Sequence, residues 1–444
     1  MKKFMTKYFG DRHFYKEVLI VAVPLMLQSL ITTSINLVDN LMVGQLGDAA
    51  IGGVAAGIFI AQFFGARDKE HMQQSFRFSI LSAYAITLPI FMLAYVFPEQ
   101  IVGFFTNEPE VIALGLDYVK MACFSFLPTG LSLAITGALR SVGESRLPLY
   151  VSIATVFTNT FLNYCLIFGN FGFPMLGVVG AAIATLIARL VEMSLLLFIV
   201  YHFDFDFTTK IKELFHISGA LAKRIAIKAA PLALNEVLWA SGMATIFKLY
   251  GTRGPEVLSG YSVANTTTDL FFTLFQGMAI ATTVMVSQRL GANKLKEARV
   301  NGYKMVGTAT SIALAVSVLM FGSAFLVPKL YSISEEALNV ARMQIIIQSF
   351  CFWIYTMNCQ NYFILRAGGD TKNTLITDSC FMWLVNIPLL AILAYFTNLN
   401  IFWMYLIGQS TDLLKLCVST HLVRKEKWVV NLAQHPEAEV ISST

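Results

Sequence analysis

Two internal spacings in this chain disagree, and the disagreement limits what it can fold into. Pro24 and Pro231, Gly44 and Gly251, and Gly47 and Gly254 each lie 207 residues apart. Further along the matches lie 226 apart: Gln62-Phe-Phe-Gly-Ala with Gln288-Arg-Leu-Gly-Ala, and Leu139-Arg140-x-x-Gly143-Glu144 with Leu365-Arg366-x-x-Gly369-Asp370. The chain is therefore two similar halves, and the first lacks about 19 residues after Val54 relative to the second. Apolar segments repeated once in this way are how many secondary transporters are built.

The repeats are membrane segments. The chain is 56% hydrophobic and 13% charged, against about a quarter charged for a soluble domain. Apolar stretches recur over 17–43, 49–65, 78–98, 110–137, 147–169, 177–202, 228–250, 257–288, 304–328, 338–364, 374–397 and 400–423. Many are about 20 residues long, enough to span a bilayer core. The expected fold is an all-α integral membrane protein of about twelve transmembrane helices, in two pseudo-symmetric six-helix lobes. Residues 1–202 would form the first lobe, 203–227 a basic and polar cytoplasmic linker, 228–424 the second lobe and 425–444 a cytoplasmic tail.

Charge distribution gives the topology. If the N-terminus is inside, the inner segments hold 26 of the 32 Lys and Arg residues, whereas the outer connections hold almost none beyond Arg253 and Lys329. This positive-inside bias places both termini in the cytoplasm. It also explains the net charge of +5 without a nucleic-acid partner. The first apolar run continues too long for a signal-peptide core and ends at Asp39 without a small-residue cleavage site. All six cysteines fall within predicted spans, without metal-ligand or redox spacing, and the histidines lie at segment ends or in loops.

The shortened span, Ala49 to Phe64, has 16 residues. As a helix it rises about 24 Å, against a hydrocarbon thickness of about 30 Å. Had it failed to cross, Arg140, Arg146 and the Lys-rich 210–228 segment would lie outside, against the charge bias. A short span is tolerable, since mismatch costs only fractions of a kcal/mol per Å.

Charged groups within spans are expensive and point to function. Asp39 sits near the outer end of the first span. Asn159 and Asn163, four apart, share a helical face, and Thr185 in the next span falls at similar depth. A carboxylate, two amides and a hydroxyl at one depth supply hard oxygen ligands for Na⁺, or a polar nest around a proton-carrying Asp; equally, they could be an interhelical packing network. Glu236, near the middle of the seventh span, suits a proton, Na⁺ or an organic cation, or a structural hydrogen bond. Other intramembrane charges have cheaper explanations: Arg189 with Glu192, Asp117 with Lys120 and Asp412 with Lys415 are spaced to pair on one face. Lys248 can snorkel, and Asp378 is expected to be solvated near the cytoplasmic end. Asp269 has no evident partner. The chain has no G-x-x-x-x-G-K-[ST] loop, H-E-x-x-H or G-x-S-x-G, so neither ATP hydrolysis nor another enzymatic activity is expected.

Taken together, several motifs resemble the multidrug and toxic compound extrusion (MATE) family. They are Pro24 followed by Val38-Asp39-Asn-Leu-Met-Val-Gly44, then Ile60-Ala-Gln62-Phe-Phe-Gly65-Ala66, and Leu139-Arg140 through Gly143-Glu144. Asn159-Thr-Phe-Leu-Asn163-Tyr-Cys-Leu-Ile-Phe-Gly169, Gly177-Val-Val-Gly180-Ala-Ala-Ile-Ala-Thr185 and Leu365-Arg366-Ala-Gly-Gly369-Asp370-Thr371 complete the set. The resemblance implies two lobes around a central cleft. It also implies exchange of incoming Na⁺ or H⁺ for outgoing amphipathic, often cationic, compounds, with no cofactor beyond the coupling ion. By resemblance, Asp39, Asn159, Asn163 and Thr185 form the first-lobe cation site, and Glu236 is a coupling acid of the second lobe. Tyr355 stands where one subgroup carries an Asp, so coupling is expected to centre on Asp39. The expected protein is a monomeric plasma-membrane antiporter, with no sign of an obligate partner. A lipid-linked substrate flippase is the alternative, as is a protein made transport-defective by its shortened second helix.

Overall fold

The computed structural model describes residues 8–43, 51–105 and 109–434, with side chains described outside 31–43, 51–54, 104–105 and 110–111. The elements are α1 Arg12–Val43, α2 Ile51–Ala66, α3 Lys69–Val96, the short α4 Pro98–Phe105, and α5 Pro109–Ala122, which runs through a 3₁₀ turn into α6 Phe126–Ser141. After these come α7 Arg146–Phe168, α8 Gly177–His202, α9 Gly219–Gly251, α10 Pro255–Gly291, α11 Leu295–Leu326 and α12 Glu335–Ala367. The last are α13 Thr371–Leu375, which continues through two π-helical stretches, Ile376–Cys380 and Met382–Asn386, into α14 Ile387–Phe396, and α15 Ile401–Arg424. Counting α5–α6 and α13–α14 as continuous runs and setting aside α4, these are the twelve segments expected. Among the described residues, eight are long and apolar enough to cross a membrane.

Local chemistry sets several of the helix starts. Asp68 accepts the His71 N–H at 3.1 Å to open α3, Ser334 accepts that of Ala337 at 3.2 Å to open α12, and Asn400 that of Trp403 at 3.2 Å to open α15. Each satisfies a backbone donor that the first turn leaves free. Pro24 and Pro231 sit inside α1 and α9 at matching places, where each removes one helix hydrogen bond.

The burial pattern is that of a protein in lipid. Phe157, Val318, Leu319, Leu326 and Leu384 are among the most exposed side chains, whereas Gln344, Gln360, Thr282 and Ser287 are fully buried. Apolar groups face outward and polar groups hydrogen-bond between helices, as when Thr282 donates to Gln360 Oε1 at 2.6 Å.

The chain forms two compact units. One is Ile31–Ala226; the other joins Met1–Leu30 to Ile227–Thr444. The repeat assigns the first thirty residues to the first half, but their contacts lie with the second. Phe14, Val18, Ala22 and Leu25 of α1 pack on Met278, Ala281 and Met285 of α10 and on Met305 and Ala309 of α11.

In the Ile31–Ala226 unit, α2 packs against α3 and α6, and α8 against α5, α6 and α7. α2 has 16 residues and its counterpart α10 has 37. With the gap after Val54, Val54 matches Tyr261 at an offset of 207 and Ala55 matches Ala281 at an offset of 226. The shortening thus removes the stretch of this helix that corresponds to 262–280. What is kept is well packed: Ala55, Ala56, Ile58, Phe59, Ile60, Ala61, Gln62 and Phe63 are all buried.

The 203–227 connection is docked on the protein, not a free linker. Arg77 on α3 donates from Nε to Thr209 Oγ1 at 2.6 Å, from Nη1 to the His216 carbonyl at 2.9 Å and from Nη2 to Glu213 at 2.5 Å. Gln73 donates to the Thr208 carbonyl, Gln74 accepts the Ser218 N–H, and the Phe207 ring packs edge-on against Phe76. In the other unit the start of the tail is docked comparably. Trp428 is fully buried among Leu290, Tyr303, Ile364, Leu365 and Val423, and donates to the Val423 carbonyl at 2.9 Å.

Candidate functional site

In the Ile31–Ala226 unit, α7 and α8 lie side by side, and three of the predicted first-half residues meet between them. Asn163 Nδ2 donates to Asn159 Oδ1 at 2.9 Å, and Asn159 Nδ2 donates to Thr185 Oγ1 at 3.3 Å. Asn159 and Asn163 are one helical turn apart, and helix-on-helix packing brings Thr185 level with them. The chain of amides ends in an open acceptor: Asn163 Oδ1 is enclosed and has no hydrogen-bond partner among the described residues. An enclosed carbonyl oxygen without a donor costs about 1–3 kcal/mol. Asp39 lies on α1, but its side chain is outside the described residues. The described residues hold no cluster of His, Cys, Asp and Glu that could bind a metal ion.

The second unit contains a denser constellation. Lys415 Nζ on α15 meets Asp378 Oδ1 at 2.7 Å, and both side chains are largely buried. Asp378 lies in the first π-helical stretch. Its other oxygen accepts Asn235 Nδ2 at 3.0 Å. Asn235 Oδ1 in turn accepts the Ser379 N–H at 3.2 Å and the Ser379 hydroxyl at 2.8 Å. A π-helix widens the turn and leaves backbone groups to be satisfied from elsewhere, often at functional sites. Here Asn235 does so, and Asn386 fixes the second stretch by donating to the Gly408 carbonyl at 3.1 Å and Thr411 Oγ1 at 2.7 Å. Glu236 follows Asn235 on α9 and is half-buried.

The family model MatE matches residues 53–165 and 231–392, well over half the chain. The chain belongs to the MatE family. A probable multidrug resistance protein NorM from Halalkalibacterium halodurans is 23% identical over 90% of this chain and 92% of its own. One of the same description from Agrobacterium fabrum is 26% identical over 93% and 95%. Among solved structures, an outward-facing multidrug resistance MATE family transporter of the MOP superfamily superposes with a TM-score of 0.81 at 19% identity, over 94% of this chain and 97% of that one. A mutant of the Vibrio cholerae MATE transporter VcmN gives 0.82 at 17% identity, over 94% and 98%. At these identities the structures speak for the fold: a multi-pass, all-helical membrane transporter architecture.

Within this MatE chain the charged pairs differ in part from the expected ones. Arg189 does pair with Glu192, at 2.8 Å. Asp117 and Lys120, both described, form no ion pair. Lys415 turns away from Asp412 on its own helix and across to Asp378, so Asp378 is paired inside the protein instead of solvated. The signal was present in the sequence: a lysine deep in a span needs a carboxylate. Spacing along one helix named the wrong one. Asp269 is exposed and accepts from Asn265, one turn earlier, at 3.2 Å.

Proposed function

We propose that this MatE chain is a cation-coupled exporter of amphipathic organic cations in the plasma membrane, with both termini in the cytoplasm. The observation that carries the reading is the Asn163–Asn159–Thr185 chain with its open acceptor, placed on helices of the same unit as Asp39. In this mechanism deprotonated Asp39, facing outward, takes up H⁺ or Na⁺, and the two asparagines and Thr185 supply neutral oxygens around the ion. Neutralising the carboxylate changes the packing of α1 and lowers the affinity for a bound organic cation, which leaves outward. The coupling is limited to the difference in ion affinity between the two states. Glu236 serves as a second acid, in the other half. The resemblance to proteins named as probable multidrug resistance proteins supports the substrate class.

The test is efflux of a fluorescent organic cation from a pump-deficient bacterium carrying the chain. Asp39→Asn is expected to insert normally and to lose driven efflux; full activity in that variant overturns the proposal. The half-length α2 favours one rival reading, a chain that keeps the fold but no longer transports. Inserting a segment patterned on 262–280 after Val54 separates the two. Transport only in the lengthened chain establishes the rival, and Asp39-dependent transport without the insertion dismisses it.

A further inference from the structure

We infer that Lys415 is a tethered cation: its ammonium permanently fills the position at Asp378 that a diffusible H⁺ or Na⁺ would otherwise have to occupy. The inference concerns the second half and does not rest on the role proposed for Asp39.

Three observations carry it. The ammonium sits directly on one carboxylate oxygen, Lys415 Nζ to Asp378 Oδ1 at 2.7 Å, with side chains only 17% and 20% exposed. A carboxylate this enclosed within a membrane span cannot stay charged without a counter-charge at hand. The second oxygen is held by Asn235, whose own amide oxygen is fixed by two donors from Ser379. Asn235 is 1% exposed, so it cannot swing away to water, and the carboxylate is aimed at Lys415. Finally, the two partners come from different elements, the π-helical stretch Ile376–Cys380 and α15, which are held by hydrogen bonds besides their own ion pair. Asn386 ties the following π stretch to Gly408 and Thr411 of α15, while Asn358 of α12 donates to the Asp412 carbonyl at 3.0 Å. A lysine merely snorkelling to water would not be met by a carboxylate pre-positioned on another helix.

The ionisable groups of this region are Asp378 itself, Lys415 and Asp412 on α15, Tyr355, Cys359, Tyr362 and Arg366 on α12, and Glu236 on α9. Lys415 also lies within reach of the Asp412 charge, so Asp378 is read by comparing the Lys415→Met protein with and without Asp378→Asn.

The experiment uses the full chain in lipid nanodiscs, in an Asp39→Asn background that silences the first-half site. Two probes distinguish the possible ions: radioactive Na⁺ binding, and the infrared band of a protonated carboxylic acid. The background protein is expected to show neither signal in an Asp378-dependent way. Adding Lys415→Met should create one of them, about one Na⁺ per chain or one new acid band, and adding Asp378→Asn as well should remove it. Lys415→Arg keeps a tethered charge and should resemble the background. If Lys415→Met inserts normally yet gains neither signal, or if the background already shows an Asp378-dependent one, the inference fails. Should Lys415→Met not accumulate, the Lys415→Met, Asp378→Asn pair decides. Its accumulation identifies the uncompensated charge as the defect; its absence shows that the lysine matters for packing and overturns the inference.

Discussion

Arg77 and Glu213 are 136 positions apart and bonded at 2.5 Å, and the arginine also donates to Thr209 and the His216 carbonyl. One buried side chain in the first third of α3 thus fastens the segment that joins the halves.

Arg77→Ala should therefore loosen that segment before it unfolds the helices. Glu213 is 43% exposed, so the ion pair itself contributes little. The larger loss is the donors to Thr209 and His216, about 2–3 kcal/mol together. Limited proteolysis should cut between residues 203 and 218 in the variant and not in the parent. Equal resistance would show that Gln73, Gln74 and Phe207 hold the segment unaided.

Trp428→Ala empties the largest fully buried side chain near the tail and removes the donor to the Val423 carbonyl. A loss of about 3–5 kcal/mol follows from the cavity. Thermal unfolding in detergent should show a clear drop in Tm, while Trp428→Phe should recover most of it.

Asn159→Ala breaks both links of the α7–α8 chain at once, whereas Asn163→Ala and Thr185→Ala each break one. At about 1.4 kcal/mol per hydrogen bond to a bound ion, each single loss should raise the coupling-ion concentration for half-maximal efflux about tenfold. Asn159→Ala should do so more strongly. An unchanged ion dependence in all three would reduce the chain to helix packing.

Gly369 adopts φ +72°, and a Cβ there would lie 2.7 Å from Leu432 Cδ1. Gly369→Ala is expected to destabilise by about 1–2 kcal/mol from the backbone alone and to loosen the tail. Gly172→Ala, at φ +80° with nothing within 4 Å of an added Cβ, should carry only the backbone part. Comparing Tm for the two variants isolates the contribution of Leu432.

Much of this architecture was legible because it is written twice. Arg67 and Asn293 both take left-handed conformations at the ends of α2 and α10, as do Gly143 and Gly369 after α6 and α12. α1 and α9 begin at Arg12 and Gly219, again 207 apart. The depth of Asn159, Asn163 and Thr185 could be counted from helix ends, so their meeting was foreseeable. The partner of Lys415 was not. Helical spacing ranks neighbours along one helix, and only packing of the π-helical stretch against α15 brings Asp378 nearer than Asp412. The docking of 203–218 was hidden for a similar reason: polar, basic composition reads as solvated until Arg77 is seen to be buried beneath it.

The half-length α2 also orders events in the history of the chain. The helices on either side of it, α1 and α3, still match α9 and α11 start for start, so both halves descend from one unit with a common plan. The difference in length falls in one half alone and must have arisen after that unit was duplicated. Whatever selection followed acted on a molecule already divided into unequal partners, and it left Ala55, Ala56 and the run from Ile58 to Phe63 of α2 buried.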